Sequence, residues 1–507
     1  MSEKMAKFGG MNQLQIFFIS TACGCLSMGC HGPLREARRA AEGTGNVEMH
    51  RMVEAYAGDP ERLEAAAFLL ENMSGHGTYT FDLVDAVSGA VADYSLYRPE
   101  ITARNYRTVL DSLGLAVRYR SESDAEAMTA EYLIRNIDQA FEARERYPWA
   151  GHYSDSVFLR YVLPYRIDAE ELTDWRAFFR ARYEPMIDTF SVPPTVRNVA
   201  RMIIRDVNSR LRFHPEALML KPAFTPEEAF ACGRGECNSV ANIYVLALRA
   251  MGIAATKDVI PVWGTSDGGH VETVYFDEEG NPVMVDTGEW LAAQPPKIYR
   301  TEFHALPTGQ NIFDGLYYRD VTAEYVATSA PTVAFDSLAD ATTGEWAALA
   351  VFSNERWRPV VLGRETGLPQ QYAFREIGRG ILYLPVLTDG QSVRPAGRPF
   401  RLDPRGNLQY HEPDTDRLVT IDLTSLLLPK DLETLDTGRL YVAYWTPKGW
   451  RDCEHPIDRS FSAMDGKPVY TVAGVPDGGI YCLFDKHSGR TYHRRIFRNG
   501  QGTARRF

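Results

Sequence analysis

A cysteine set by glycines at the head of an apolar helix constrains this chain more than any other stretch. In Cys232-Gly-Arg-Gly-Glu-Cys237-Asn-Ser-Val-Ala-Asn, Gly233 and Gly235 let the backbone turn sharply before Cys237. From there Val240, Ile243, Tyr244, Ala247, Leu248 and Met251 recur at helical spacing, and Gly252 closes the helix. A thiol in that position sees the positive end of the helix dipole, which favours the thiolate. Upstream, Thr225-Pro-Glu-Glu228 has the signature of a helix start: a threonine cap, proline first, glutamate three on. A short helix therefore runs into the cysteine loop.

Beyond the Cys237 helix the pattern changes to strands. Thr256 to Trp263 reads as one, and Ser266-Asp-Gly-Gly269 turns into His270-Val-Glu-Thr-Val-Tyr-Phe276. Asp277-Glu-Glu-Gly-Asn281 is a turn, and Pro282-Val-Met-Val-Asp286 is the return strand. A loop of odd length pairs positions whose numbers sum to an even total. His270, Glu272, Met284 and Asp286 then share one face, with Asp286 opposite or diagonal to His270. A slip of one residue destroys the arrangement. Thiol, imidazole and orienting carboxylate are the set that a cysteine nucleophile needs, so Cys237, His270 and Asp286 are the candidate catalytic residues. Glu272 is placed to take the part of Asp286. Cys232 falls before the turn and reads as structural.

The order Cys, His, Asp, with the cysteine helix running into Arg249-Ala-Met-Gly-Ile253, resembles the transglutaminase-like superfamily. That resemblance implies a papain-like core with Cys237 as nucleophile, His270 as base and Asp286 as its partner. One difference is that many members carry a tryptophan shortly after the histidine, where this chain has Val271-Glu272-Thr273. A wider resemblance, to secreted bacterial lipoproteins built on this core, rests on three further segments. They are Glu64 to Met73, Tyr132 to Asp138, and Tyr161-Val-Leu-Pro-Tyr-Arg166 with Trp175-Arg176.

At 507 residues the chain exceeds what one hydrophobic core organises. A formal net charge of −11, with no basic stripe interleaved with aromatics, argues against a nucleic-acid partner. Lys4 and Lys7 precede Leu14-Gln-Ile-Phe-Phe-Ile19, an apolar run too short to span a bilayer that reads as a secretory leader. Leu26-Ser-Met-Gly-Cys30 resembles a lipoprotein cleavage site, with Ser27 in place of the usual aliphatic residue. The expectation is a cell-envelope protein anchored to the membrane through a lipid on Cys30. Cys453 and Cys482 are either a disulfide or two buried thiols. Cys453-Glu-His455 with Cys482 and His487 fits no common short zinc pattern.

These readings give an α+β multidomain chain. Residues 1–30 are the leader and 31–146 a helical domain, in which one long helix starts at Asp124 as N-cap. Residues 147–330 are the catalytic domain. Residues 331–430 and 431–507 are two antiparallel β-sandwich modules. The modules are argued from a repeat: Ala348 to Arg358 matches Tyr441 to Arg451, Gly380 to Leu384 matches Gly479 to Leu483, and Pro399-Phe-Arg matches Ile496-Phe-Arg. Trp357 and Trp450 recur at equivalent positions and, with Trp445, are expected in a core rather than on a sugar-stacking surface. The expected chemistry is acyl transfer through Cys237, most simply hydrolysis of an amide in a peptide, protein or glycopeptide, with no metal or organic cofactor. The alternative is a non-catalytic ligand-binding or adhesion lipoprotein that keeps the papain-like core as scaffold.

Overall fold

A computed structural model describes residues 32–507, apart from 94–101, 103–104, 192, 287, 307–316, 337–344 and 428–435. The expected leader and the lipid site at Cys30 lie outside the described residues. The chain is α+β, with its long helices before residue 251 and a strand-rich remainder. Among the described residues no helix is long and apolar enough to cross a membrane.

The N-terminal region starts with helices α1 (Pro33–Thr44) and α2 (Pro60–Met73), the latter capped by Asp59, which accepts from the Arg62 N–H. It is not all helical, as the sequence had suggested. Strand β1 (Gly77–Asp85) pairs antiparallel with β2 (Leu115–Ser123) along its whole length. The alternating threonines and aromatics of Gly77-Thr-Tyr-Thr-Phe suit a pleated, half-buried surface. Asp124 does not cap a long helix either. It is buried, accepting from Arg166 at 2.5 Å and from the Tyr165 hydroxyl at 2.9 Å. The chain breaks after Ala127, and Thr129 caps the next helix, α3 (Ala130–Arg146).

The boundary expected at residue 146 separates no cores. A single apolar cluster runs from Ala37 and Leu69 through Phe141, Phe179 and Val207 to Leu246, Tyr275 and Phe303. Buried arginines tie its parts together through backbone oxygens. Arg176, on α4 (Trp175–Ile187), donates to Val162 and Arg249, and Arg249 donates to Ala255. In this cluster sit α5 (Pro226–Cys232), α6 (Cys237–Ala250) and an antiparallel sheet. Its strands are β3 (Ala255–Ile260), β4 (His270–Phe276), β5 (Pro282–Met284), β6 (Tyr299–Thr301) and β7 (Tyr318–Asp320), in the order β5-β4-β3-β6-β7.

The strand-rich half repeats itself in topology. In the first unit β8 (Trp346–Ser353), β9 (Arg356–Leu362), β10 (Leu382–Thr388) and β11 (Phe400–Leu402) run in the order β9-β8-β10-β11. Beyond β12 (Asp414–Asp422), the second unit has β13 (Leu440–Thr446), β14 (Gly449–Asp452), β15 (Ile457–Phe461) and β16 (Pro468–Asp477). It ends with β17 (Ile480–Asp485), β18 (Thr491–Gly500) and β19 (Thr503–Arg506). Its path β14-β13-β17-β18 matches the first unit strand for strand.

Two details differ from the expectation. β12 belongs to the second sheet, so the units divide between Tyr410 and Asp414 rather than near 430. The second unit is also one continuous eight-stranded sheet folded over its own core, whereas in the first a separate three-stranded sheet packs on the larger one. Side chains alternate across each pleat. Leu349, Val351 and Tyr383 face the first core, while Ala350, Phe352 and Leu384 face the second unit. There the repeated tryptophans meet: Trp357 lies 5.4 Å from Trp445 and Trp450 5.7 Å from Phe352, ring centre to ring centre. Cys453 and Cys482 are not bonded to each other and lie in different apolar layers, Cys453 in the second core and Cys482 between the units.

Candidate active site

The backbone before Cys237 is fixed at each step by local chemistry. Thr225 and Glu228 exchange side-chain and backbone hydrogen bonds in a capping box that starts α5. Gly233 ends it in the left-handed region at φ 67°, where a side chain would be strained. Arg234–Gly235 then forms a short parallel pair with Arg212–Phe213, and Cys237 becomes the first residue of α6. The N-cap is Glu236, whose carboxylate accepts from the N–H groups of Asn238 at 2.8 Å and Ser239 at 2.7 Å. The positive helix end is therefore already occupied by an anion. The Cys237 thiol also donates to Glu236 Oε2 at 3.5 Å. The help expected from the helix dipole is offset by a negative charge beside the sulfur.

The hairpin carries the remaining candidates. Val274 faces Met284 and Phe276 faces Pro282, so the five-residue loop between the strands gives the even-sum register. The Asp277 carboxylate accepts from the Glu279 and Asn281 N–H groups and fixes that loop. Asp286 lies diagonal to His270 and beside Glu272. From His270 Nε2 to Glu272 Oε2 is 3.5 Å, and to Asp286 Oδ2 it is 3.8 Å. Each carboxylate has its other oxygen tied to backbone: Glu272 Oε1 accepts from Val285 at 3.0 Å, and Asp286 Oδ1 accepts from Gly288 at 2.6 Å. Glu272 is 3% exposed, whereas the Asp286 side chain is 43% exposed.

Burial pulls the His270 imidazolium toward losing its proton. The neighbouring Asp286, Cys237 and Glu272 side chains outweigh that and push the group up to about 11. Burial likewise pushes the Glu272 carboxyl up, to about 7, with Asp286 adding to the rise and His270 opposing it. The structure thus groups His270, Glu272 and Asp286 side by side, with Cys237 acting on the same imidazole. Cys232 is buried at the end of α5 and apart from this group.

Three further parts were not read from the sequence. Trp263 stacks on the His270 ring at 5.9 Å and 20°, so the indole at this histidine comes from the loop before it. Lys257, buried on β3, donates to Asp168 at 2.7 Å and to the amide oxygens of Asn238 and Asn242 at 2.6 and 3.0 Å. Asn238, next to the nucleophile, also donates to Asp168 at 2.7 Å. Burial pushes the Asp168 carboxyl up, but Lys257 and Asn238 outweigh it and hold the group below its usual range. A lysine in the apolar run Ala254 to Ile260 is the one sequence signal that pointed to such a partner.

His270, Glu272 and Asp286 also offer ligand atoms within 4.8 Å of one another, a set able to hold a divalent cation. No family model, curated protein or solved structure matches the chain.

Proposed function

We propose that this protein is a transglutaminase-like cysteine enzyme with a papain-like core, acting by acyl transfer on an amide of a peptide, protein or glycopeptide. The observation that carries this reading is the grouping of Cys237 with His270, whose imidazole has carboxylates at 3.5 and 3.8 Å. The thiolate attacks the amide carbonyl carbon, and the N–H of Cys237 is a donor for the oxyanion. That N–H heads the helix and is not used by the Glu236 cap. As the C–N bond breaks, the His270 imidazolium gives its proton to the leaving amine, leaving a thioester on Cys237. Neutral His270 then takes a proton from water, whose oxygen attacks the thioester, and the acid and free thiol are released. Glu272 and Asp286 hold the ring and its charge. Water is the default acceptor, so hydrolysis is preferred over transfer to an amine. The setting we propose is the cell envelope, with the chain lipid-anchored at Cys30.

Alkylation mapping tests this. Iodoacetamide at about pH 6 should label Cys237 well before Cys232, Cys453 or Cys482, and His270→Ala should raise the pH that labelling needs. Equal labelling of all four thiols, indifferent to His270→Ala, would refute the enzyme reading and favour the binding scaffold.

A second reading comes from the ligand geometry of His270, Glu272 and Asp286. A divalent ion held there would supply Lewis-acid activation of water. In that case a chelator abolishes turnover while Cys237→Ser retains it; on the cysteine reading both outcomes reverse.

A further inference from the structure

The loop of residues 261–269 joins β3 to β4, carries Trp263 and delivers His270. It closes on itself where the Trp263 N–H donates to the Gly268 carbonyl at 2.9 Å. One flank is held by the core, since Gly264 donates to Gln294 at 3.0 Å and the Thr265 hydroxyl to Ala293 at 2.9 Å. The other flank is held by the first strand-rich unit. The Ser353 hydroxyl accepts from the Gly268 N–H at 3.1 Å, and the Asp267 carboxylate accepts from the Asn354 N–H at 2.6 Å.

Ser353, Asn354 and Glu355 form the tight turn between β8 and β9, with Asn354 at φ 50° and Glu355 at φ 68°. Such a turn is set by the twist of its strands, which makes it a stiff support. The loop also gives a side chain to that unit. Val262 is buried in the first unit's own core with Val333, Leu349, Ile381 and Tyr383. Its neighbour Trp263 is packed with Ile260, Ile298 and Val321 and stacks on His270. Contact at Gly264 is close enough that a Cβ there would lie 2.6 Å from Ile381 Cδ1.

We propose that the first strand-rich unit belongs to the active site as a positioning element. Asp267, Ser353 and Asn354 latch loop 261–269 so that Trp263 covers His270 and the imidazole is presented to Cys237. This rests on the cysteine reading of the site. It also means that residues 147–330 alone do not make a competent site, because both the latch partners and the pocket for Val262 lie beyond them. Asp267, Ser353 and Asn354 are positioning residues: they act through the loop and His270.

The test is a double substitution in the full-length chain, Asp267→Ala with Ser353→Ala, beside Asp267→Asn, which keeps an acceptor oxygen. The alkylation rate of Cys237 is followed against pH, with thermal unfolding measured in parallel. The double variant should label Cys237 at least about tenfold more slowly near pH 6, with its pH profile moved toward that of His270→Ala. Asp267→Asn should recover most of the rate. In a His270→Ala background the double substitution should add nothing, since the latch acts through that ring. A purely structural role predicts lower thermal stability with an unmoved pH profile, and that result overturns the proposal. So does an undiminished effect in the His270→Ala background. Failure of the cysteine reading looks different: wild-type Cys237 itself would then show no preferential labelling at pH 6.

Discussion

Glu236→Gln is expected to make Cys237 more reactive. The substitution keeps a side-chain oxygen able to accept from the Asn238 and Ser239 N–H groups, so the helix cap loses about 1 kcal/mol at most. It removes a negative charge 3.5 Å from the sulfur. At that separation a unit charge acts on a thiolate with about 1 kcal/mol at a water-like dielectric and about 2 kcal/mol at half that value. Both side chains are partly exposed, which selects this range over the larger energies of a dry interior. A tenfold change corresponds to about 1.4 kcal/mol, so the rate of Cys237 alkylation near pH 6 should rise about tenfold. The assay is iodoacetamide labelling resolved by peptide mass, with Cys232 as internal control. A rate that stays in place or falls would refute the reasoning, since the cap would then be acting through structure rather than charge.

The two carboxylates should prove unequal: at about pH 6 Asp286→Ala should slow labelling of Cys237 more than Glu272→Gln does, because a Glu272 carboxyl pushed up to about 7 is mostly protonated there and the swap removes little charge. The same Glu272→Gln variant should flatten the fall of melting temperature between about pH 5 and pH 8. A carboxyl raised from 4.5 to about 7 contributes stability that is complete below the lower value and lost as pH rises through the upper, on the order of 1–3 kcal/mol given its coupling to His270. Lys257→Met should cost about 3 kcal/mol in chemical denaturation, because Asp168 and two amide oxygens lose their shared partner; a neutral result would show that water replaces the ammonium. Trp357→Ala should destabilise the strand-rich half by about 3–5 kcal/mol through the cavity it leaves between the units, and an effect below about 1 kcal/mol would show that the units barely depend on that layer.

What the sequence disclosed was what is local in the chain. The capping box at Thr225, the left-handed Gly233 and the even-sum hairpin register each depend on residues within ten positions of one another, so their chemistry is visible in a short window. The repeat was visible because two hairpins carry the same tryptophan at the same place. What escaped depends on distance. Asp168 meets Lys257 across 89 positions, and Asp124, expected to cap a helix, meets Arg166 across 42. β2 escaped for another reason: Leu115-Ala-Val-Arg-Tyr-Arg-Ser-Glu-Ser is exposed along most of its length, and its apolar alternation ends at Tyr119. The division between the two strand-rich units was misplaced because β12 crosses to a sheet whose other members begin at residue 440.

The Glu236 cap changes where the activation of Cys237 must come from. A helix end can favour a thiolate through its unpaired N–H groups, but here two of them already serve a carboxylate, and that carboxylate stands beside the sulfur. The group that can supply positive charge to the thiol is the His270 imidazole, which burial would deprotonate and Asp286, Cys237 and Glu272 keep protonated. That charge persists in a buried setting only because Glu272 and Asp286 flank it, and the ring is held by Trp263 on a loop fixed from outside the core. Cys237 therefore has little intrinsic advantage from its own helix. Its reactivity is conditional on the placement of one imidazole, and that placement is conditional on the strand-rich half of the chain.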